Sequence, residues 1–374
     1  MSDAENEMNP TEALQTLLDA DAPLRLAEKP QRSSDDLLPA PAPRTLPVSF
    51  TGKASEFFSI WITNTFLSVI TLGFYSPWAK IRTKRYFYGH TSIDGHTFDY
   101  LADPIAILKG RLLVMFVLGL VYGGALIHPL ITLVGWLLAL VFTPWAMARS
   151  LSFNMRNTTY RGVRFGFTGQ VGEITKTFWY SVLMQVITFG FYAPFFALNM
   201  INFKLSNTRY GDEPFRFNKA PGFYGIYVGS FFLMMMGLIV SVAIPLILKV
   251  PQDLAPLVIN VVFYPTIAIF AALLQGGIFN YVAQNLTLNG ARFSSTLSRG
   301  SLAWLYFTNL FAVIFSFGLA LPWVITRIYS YKASCFTVHI DDPGLLGRVG
   351  SVAQDHGSAA GDAAVEVMDI EIGI

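Results

Sequence analysis

Thr91-Ser92-Ile93-Asp94-Gly95-His96-Thr97-Phe98-Asp99-Tyr100 reads as two short strands joined at Asp94-Gly95, a residue pair suited to the tight turn of a β-hairpin. The same pattern returns at 158–167 around Arg161-Gly162, at 208–217 around Gly211-Asp212 and at 286–293 around Asn289-Gly290. Each copy follows an apolar stretch by nearly the same number of residues. A fixed period of this kind makes the repeat the unit of folding.

A second motif sets the register. Pro77-Trp78-Ala79-Lys80-Ile81-Arg82, Pro144-Trp145-Ala146-Met147-Ala148-Arg149 and Pro322-Trp323-Val324-Ile325-Thr326-Arg327 place Pro, Trp and Arg at one spacing, and Pro194-Phe195 is a weaker copy. The first strand begins 14 residues after the Pro each time, at Thr91, Thr158 and Thr208, and the Phe of the second strand (Phe98, Phe165, Phe215) lies 21 residues on. The remaining copy departs from this, because Ala272 stands where the Pro is expected and Pro265 comes seven residues earlier.

Of the 374 residues 53% are apolar and only 13% charged, against about 25% charged in an ordinary globular chain. A membrane class follows. The net charge of +2 gives no reason to expect nucleic acid, and the basic residues cluster beside apolar segments, where they act as topology signals. The single cysteine, Cys335, excludes an intramolecular disulfide. Residues 1–47 have no short apolar core, so no cleavable signal peptide is expected. The tails at 1–44 and 344–374 are rich in acidic, small and Pro residues and read as disordered, with Leu14, Leu17 and Leu18 on one face of a short helix.

Seven long apolar stretches lie near 57–79, 112–128, 130–148, 177–203, 223–248, 257–283 and 301–326, each close to the ~20 residues of a spanning helix. The expectation is a polytopic α-helical membrane protein, with about seven long helices in tandem short and long repeats and small β-hairpins between units. The repeated membrane domain runs from 45 to 343, with units near 50–98, 98–165, 167–215, 215–293 and 295–341. The second and fourth units hold two apolar stretches that meet at His128-Pro129 and at 249–253, which makes each a helical hairpin with its turn on the outer side.

The chain also begins with a lone second strand, Leu46-Pro47-Val48-Ser49-Phe50, and ends with a lone first strand, Phe336-Thr337-Val338-His339-Ile340. A strand without a partner leaves backbone groups unpaired. Pairing 46–51 with 336–341 would close the repeats into a ring with all hairpins on one side, the cytoplasmic one by the basic residues at 80–85 and 156–164. The three short units must then re-enter. The alternative from hydropathy alone is seven crossings with opposed termini.

Before the Pro stand Thr71-Leu72-Gly73-Phe74-Tyr75, Thr188-Phe189-Gly190-Phe191-Tyr192 and Ser316-Phe317-Gly318-Leu319, and Phe50-Thr51-Gly52 and Phe167-Thr168-Gly169 open their units. With Thr63-Asn64 and Thr308-Asn309 inside the helices, this combination resembles the YjgN family of bacterial inner-membrane proteins, over roughly residues 45–341. The resemblance implies a multi-pass protein of the bacterial inner membrane. It implies no reaction, ligand or catalytic residue.

Gly and Pro at 73–77 should end or kink the helix at the membrane interface, which places Trp78, Trp145 and Trp323 at headgroup depth as anchors. The basic residues beside them have two readings. One is positive-inside anchoring; the other is a lipid or anion site formed by Arg82, Arg149 and Arg327 with Lys80 and Arg85. Asn64, Gln185 and Asn309 are the main polar residues within the apolar stretches, with Asn199 and Asn202 nearer an end, and read as interhelical contacts or as a substrate path. Gly119 with Gly123 and Gly225 with Gly229 are small-residue faces, for close packing within the molecule or for self-association.

No Asp, Glu, Lys or Arg lies inside the apolar stretches, which weighs against a proton-coupled transporter. No nucleophile elbow, Walker loop, dinucleotide fingerprint or zinc-protease motif occurs. His90 and His96 have no third ligand beside them, and Asp341-Asp342 before Pro343 reads as a turn, so no catalytic residue, metal or cofactor is assigned. The reading is a non-enzymatic passage or lipid-handling protein with membrane lipids as partners. A membrane-anchored scaffold is the alternative, and a lipid enzyme ranks third.

Overall fold

The computed structural model describes residues 43–341, so the tails, the turn beyond Asp341 and the helix at Leu14–Leu18 lie outside the described residues. Ten strands form one closed antiparallel barrel: β1 (Arg44–Phe50), β2 (Thr91–Ile93), β3 (His96–Tyr100), β4 (Thr158–Tyr160), β5 (Val163–Phe167), β6 (Thr208–Tyr210), β7 (Glu213–Phe217), β8 (Leu286–Leu288), β9 (Ala291–Ser295) and β10 (Phe336–Ile340). They follow one another around the ring in chain order, with β10 beside β1. The hairpins β2–β3, β4–β5, β6–β7 and β8–β9 turn where the dipeptides predict, with φ of 51° at Asp94 and 76° at Gly95.

The ends meet as complementarity requires, but the register differs from the pairing of 46–51 with 336–341. Only Arg44, Thr45, Leu46 and Pro47 pair with β10, opposite Ile340, His339, Val338 and Thr337. Val48, Ser49 and Phe50 turn instead to Ile93, Ser92 and Thr91 of β2. One strand thus bridges two neighbours, because the lower half of β1 must cover the free edge of the first hairpin as well as that of β10.

Alternation decides the barrel interior. Leu46, Val48, Ile93, Phe98, Tyr100, Tyr160, Val163, Phe165, Tyr210, Phe215, Phe293, Phe336 and Val338 are buried, whereas Thr45, Thr97, Asp99, Arg164, Arg209, Arg216 and Arg292 are exposed on the wall. Aromatic rings link strand to strand across the inside: Phe98 to Tyr160 at 4.7 Å, Phe165 to Tyr210 at 5.6 Å, Phe215 to Phe293 at 6.2 Å and Phe293 to Phe336 at 5.9 Å. The barrel is filled, and its outer wall is polar. It therefore stands in water, unlike a membrane barrel with its apolar outer band.

Five helical excursions leave the barrel, and each begins and ends on it. They are α1 (Ala54–Ile70) with α2 (Ser76–Gly89), α3 (Pro104–Leu118) with α4 (Pro129–Asn157), α5 (Val171–Ile187) with α6 (Ala193–Ser206), α7 (Phe223–Ile247) with α8 (Ala255–Asn285), and α9 (Arg299–Phe315) with α10 (Leu321–Ser334). The four tight turns occupy one end of the barrel, so all five excursions emerge from the other. Each pair packs on the next, and α10 packs on α1, which closes a helical ring over the strand ring.

This corrects the seven long helices. Among the described residues four helices are long and apolar enough to cross a membrane: 104–126, α4, α7 and α8. The apolar stretches at 57–79, 177–203 and 301–326 are each broken into a 17-residue and a 14-residue helix. One device makes all three breaks. Thr71 donates its hydroxyl to the Leu67 carbonyl (2.7 Å) and accepts from the Tyr75 amide (2.9 Å), while Leu72 and Gly73 turn left-handed at φ 50° and 90° and the Gly73 amide returns to the Ser68 carbonyl. Thr188 with Phe189-Gly190 and Ser316 with Phe317-Gly318 repeat the bond in which the hydroxyl oxygen accepts from the amide four residues on, and the two positive φ angles. The chain reverses with its backbone groups satisfied, as apolar surroundings demand. Hydropathy cannot register such a break, because the turn residues are themselves apolar: Leu72, Phe189 and Phe317 are 84%, 93% and 97% exposed at the tips.

In the first long pair the chain past α3 continues as a π turn (Gly119–Gly123) and a short 3₁₀ turn to Leu126 before α4 begins. His128 caps α4, accepting from the Leu130 amide at 3.2 Å. The expected close packing at Gly119, Gly123, Gly225 and Gly229 is absent, since a Cβ at each would meet nothing within 4 Å. Helices approach instead at Gly135, against the Leu120–Val121 backbone, and at Gly237, against Thr266.

Candidate functional site: a cation-floored groove between the first two excursions

Helical rise places the basic residues in one layer. Lys80 and Arg82 lie nine and seven residues before Gly89, Arg111 seven after Pro104, Arg149 eight before Asn157 and Arg327 seven before Ser334. At 1.5 Å per residue each is about 10–14 Å from the barrel end of its helix. Trp78, Trp145 and Trp323 stand one turn further out, with the Arg149 and Arg327 guanidiniums over the rings of Trp145 and Trp323 at 5.9 and 4.9 Å. Beyond Arg149, residues 129–148 of α4 carry no charge and span about 30 Å, the thickness of a hydrocarbon core. The charge-free stretch beyond this Trp and cation layer is long enough to cross a hydrocarbon core, whereas the three short excursions reach only one to two turns past the layer.

At this layer the first two excursions part. A groove of about 970 Å³ opens between the α1–α2 break, α3 and the second half of α4. Lys80, Arg111, Arg149 and Arg156 line it, and no Asp or Glu does among the described residues. The Arg111 guanidinium donates to the Ser76 hydroxyl, which ties α3 to the start of α2. Away from the cations the walls are apolar: Leu113, Val114, Val117, Leu118, Ala139 and Phe142. Leu113, Val114 and Leu118 are exposed, so the groove is open at its side.

The π turn after α3 rests on α4 where Gly135 meets the Leu120–Val121 backbone, and the groove lies on the barrel side of that contact. The second long pair differs at the matching level. Gly277, nine residues before β8 as Arg149 is nine before β4, lets Ile226 of α7 lie directly against α8.

The five sequence-selected basic residues do not converge. Lys80 and Arg149 line the groove, Arg82 is exposed outside it, and Arg85 donates to the Tyr100 carbonyl at 2.9 Å. Arg327 is held within its own excursion, donating to Thr308 Oγ1 at 3.3 Å and to Asn309 Oδ1 at 3.2 Å. Asn64 is buried and donates to the Ala79 carbonyl (3.3 Å) across the first short pair, and the buried Gln185 Oε1 has no hydrogen-bond partner. Arg111 and Arg156 join the groove although neither belongs to the repeated Pro-Trp-Arg motif. The one signal in the sequence links Arg111, eleven residues after Tyr100, with Lys80, eleven before Thr91; Arg156, two before Thr158, carries no such signal. Lys84 was grouped with the surface anchors but is buried against the rings of Tyr100 and Tyr88, at 5.1 and 5.6 Å.

Burial pushes the Tyr160 hydroxyl up to about 12, against Arg161, which lowers it, and with Asp94, which raises it. Its hydroxyl donates to the Ile93 carbonyl at 2.6 Å. At the seam the Arg292 guanidinium holds the Asp341 carboxyl below its usual range through hydrogen bonds of 2.6 and 2.8 Å. Among the described residues no His, Cys, Asp or Glu cluster could hold a metal ion.

Residues 45–367 match the family described as a bacterial protein of unknown function (DUF898). The inner membrane protein YjgN of Salmonella typhimurium strain LT2 is 33% identical over 144 residues, 37% of this chain and 34% of that protein. YjgN of Escherichia coli K12 is 31% identical over 139 residues, 37% of this chain and 35% of its own length. The match spans about a third of the length of these curated relatives. No solved structure matches the chain. With the match to the family covering most of its length and with helices able to span a bilayer, this chain belongs to the DUF898 family of the YjgN proteins and is a multi-pass protein of the bacterial inner membrane.

Proposed function

We propose that this protein is non-enzymatic and accommodates an amphiphile from the surrounding bilayer, using the lateral groove between its first two excursions. The observation that carries the reading is the polarity of that groove: cations at membrane-surface level, apolar walls beyond them, and an opening to the side. A ligand with a polar head and an apolar body fits such a gradient, whereas a freely soluble ion gains nothing from the apolar half. An aqueous route along the ring axis is disfavoured, because aromatic side chains fill the barrel. On this reading the excursions are internal repeats that arose from one unit, and the first long pair holds the open groove. The barrel lies on the cytoplasmic side by the excess of Lys and Arg near it.

The test is reconstitution into liposomes carrying a fluorescent-acyl lipid in one leaflet and a small dye inside. Protein-dependent capture or movement of the lipid without dye release is the expected result. Dye release without lipid engagement would replace the reading with an aqueous passage. If neither occurs, the polar barrel wall, with Arg164, Arg209 and Arg216 exposed, becomes the working surface, and the protein is a scaffold.

A further inference from the structure

Lys80, Arg111, Arg149 and Arg156 line one groove with no carboxylate among its described lining residues, a concentration of positive charge beside a membrane that attracts an anionic headgroup. Arg111 is fixed through Ser76, Arg149 is braced over Trp145, and Arg156 sits at the foot of α4 where it meets the barrel. Lys80 faces them from the start of α2. Two independent directions agree here. Lys80, Arg111 and Arg149 lie at the headgroup level set by the Trp layer with Arg156 nearer the barrel, and on the side away from the barrel the groove is apolar along Val117, Leu118 and Phe142.

We infer that the groove seats an anionic phospholipid, its phosphate headgroup among Lys80, Arg111, Arg149 and Arg156 and its acyl chain along Val114, Val117, Leu118 and Phe142. This rests on the amphiphile reading and adds the headgroup chemistry to it. A free phosphate would share the cations but not the apolar wall, so the choice falls on the lipid. At about 970 Å³ the space is at the upper end of the range of roughly 300–1,000 Å³ for small-molecule sites, enough for a headgroup and part of a chain. At the corresponding position in the second long pair Gly277 is packed against Ile226 with the Arg299 guanidinium beside it, so that pair is closed there.

The experiment uses the full-length protein in mild detergent, exchanged separately with phosphatidylglycerol, phosphatidylcholine of the same chains and inorganic phosphate. Native mass spectrometry reads what is retained. A phosphatidylglycerol bearing a chain diazirine reads where it sits. Retention of phosphatidylglycerol over phosphatidylcholine is expected, with photo-adducts on the α3 and α4 peptides that carry Val114 and Phe142. Each basic residue near an anionic headgroup contributes roughly a fivefold factor, so Lys80→Gln with Arg149→Gln and Arg156→Gln should lower retention about a hundredfold. Leu118→Trp, which leaves the cations in place and fills the apolar half, should abolish the Phe142 adduct and covers the case in which the triple variant does not fold. Equal retention of both lipids with adducts in the groove would overturn the headgroup assignment and leave the amphiphile reading standing. Phosphate retention without lipid adducts, or adducts only elsewhere on the protein, would overturn both.

Discussion

Ile226 Cγ2 would lie 2.4 Å from a Cβ placed on Gly277, so α7 rests on the bare backbone of α8 at the level where the first long pair opens around Arg149. One position, nine residues before a strand, thus decides between a closed helix contact and a groove. Gly277→Leu should overpack this contact and cost about 1–3 kcal/mol. A fall in the apparent melting temperature of the purified protein checks it, and an unchanged melting temperature would mean that α7 and α8 are separate at this level.

The seam predicts a specific crosslink. Thr45 Oγ1 lies 3.2 Å from His339 Nδ1, and Ser49 Oγ lies 2.7 Å from Ser92 Oγ. In a Cys335→Ser background, Thr45→Cys with His339→Cys and Ser49→Cys with Ser92→Cys should each oxidise to a disulfide, because facing residues of an antiparallel pair bring their Cα atoms within range. Ser49→Cys with His339→Cys should not. The reverse outcome on a reducing and non-reducing gel would shift the seam register.

Accessibility should separate three levels. Cysteines at His128 and Gln252, in the turns of the long pairs, are expected to react with an impermeant thiol reagent on the side opposite to a cysteine at Thr97 on the barrel wall. A cysteine at Phe317, at a short tip, should resist from both sides, because re-entry leaves that tip in lipid. Ready labelling of Phe317→Cys from the His128 side would turn the short excursions into full crossings.

The break itself is testable at Thr188. Its hydroxyl donates to the Met184 carbonyl at 2.7 Å and accepts from the Tyr192 amide at 3.0 Å. Thr188→Val removes both and should destabilise by about 1–3 kcal/mol, whereas Thr188→Ser should be tolerated, since Ser316 holds the fifth excursion's break. Thermal unfolding in nanodiscs measures the difference between the two variants. Equal melting temperatures would remove the hydroxyl from the account.

Tyr160 gives the barrel an alkaline limit. Burial is the main cause that raises its pKa from 10.0 to about 12, so the folded state holds the proton that the unfolded chain releases. The contribution is present in full below pH 10 and is lost as pH rises toward 12. Melting curves across that window should fall more steeply for the wild type than for Tyr160→Phe. The variant itself begins about 1 kcal/mol lower for want of the bond to Ile93. Parallel curves would show that Tyr160 is not ionising within the fold.

The sequence by itself determined the membrane class, the hairpin at every turn dipeptide, the common spacing from Pro to strand and the complementary half-strands at 46–50 and 336–340, because turn chemistry, hydropathy and strand pairing are local or countable properties. It also implied that closure and re-entry go together, since a ring of hairpins obliges every unit to return to it. Only the tertiary structure decided between re-entry and crossing, because Thr71-Leu72-Gly73 reverses the chain with apolar residues whose hydropathy is that of a continuous helix. The exact seam was likewise tertiary, since β1 divides between two neighbours and either register satisfies its alternation. The groove was decided last of all. Lys80 of α2, Arg111 of α3 and Arg149 with Arg156 of α4 come together across a groove on the barrel side of Gly135, an arrangement that depends on which helix surfaces touch.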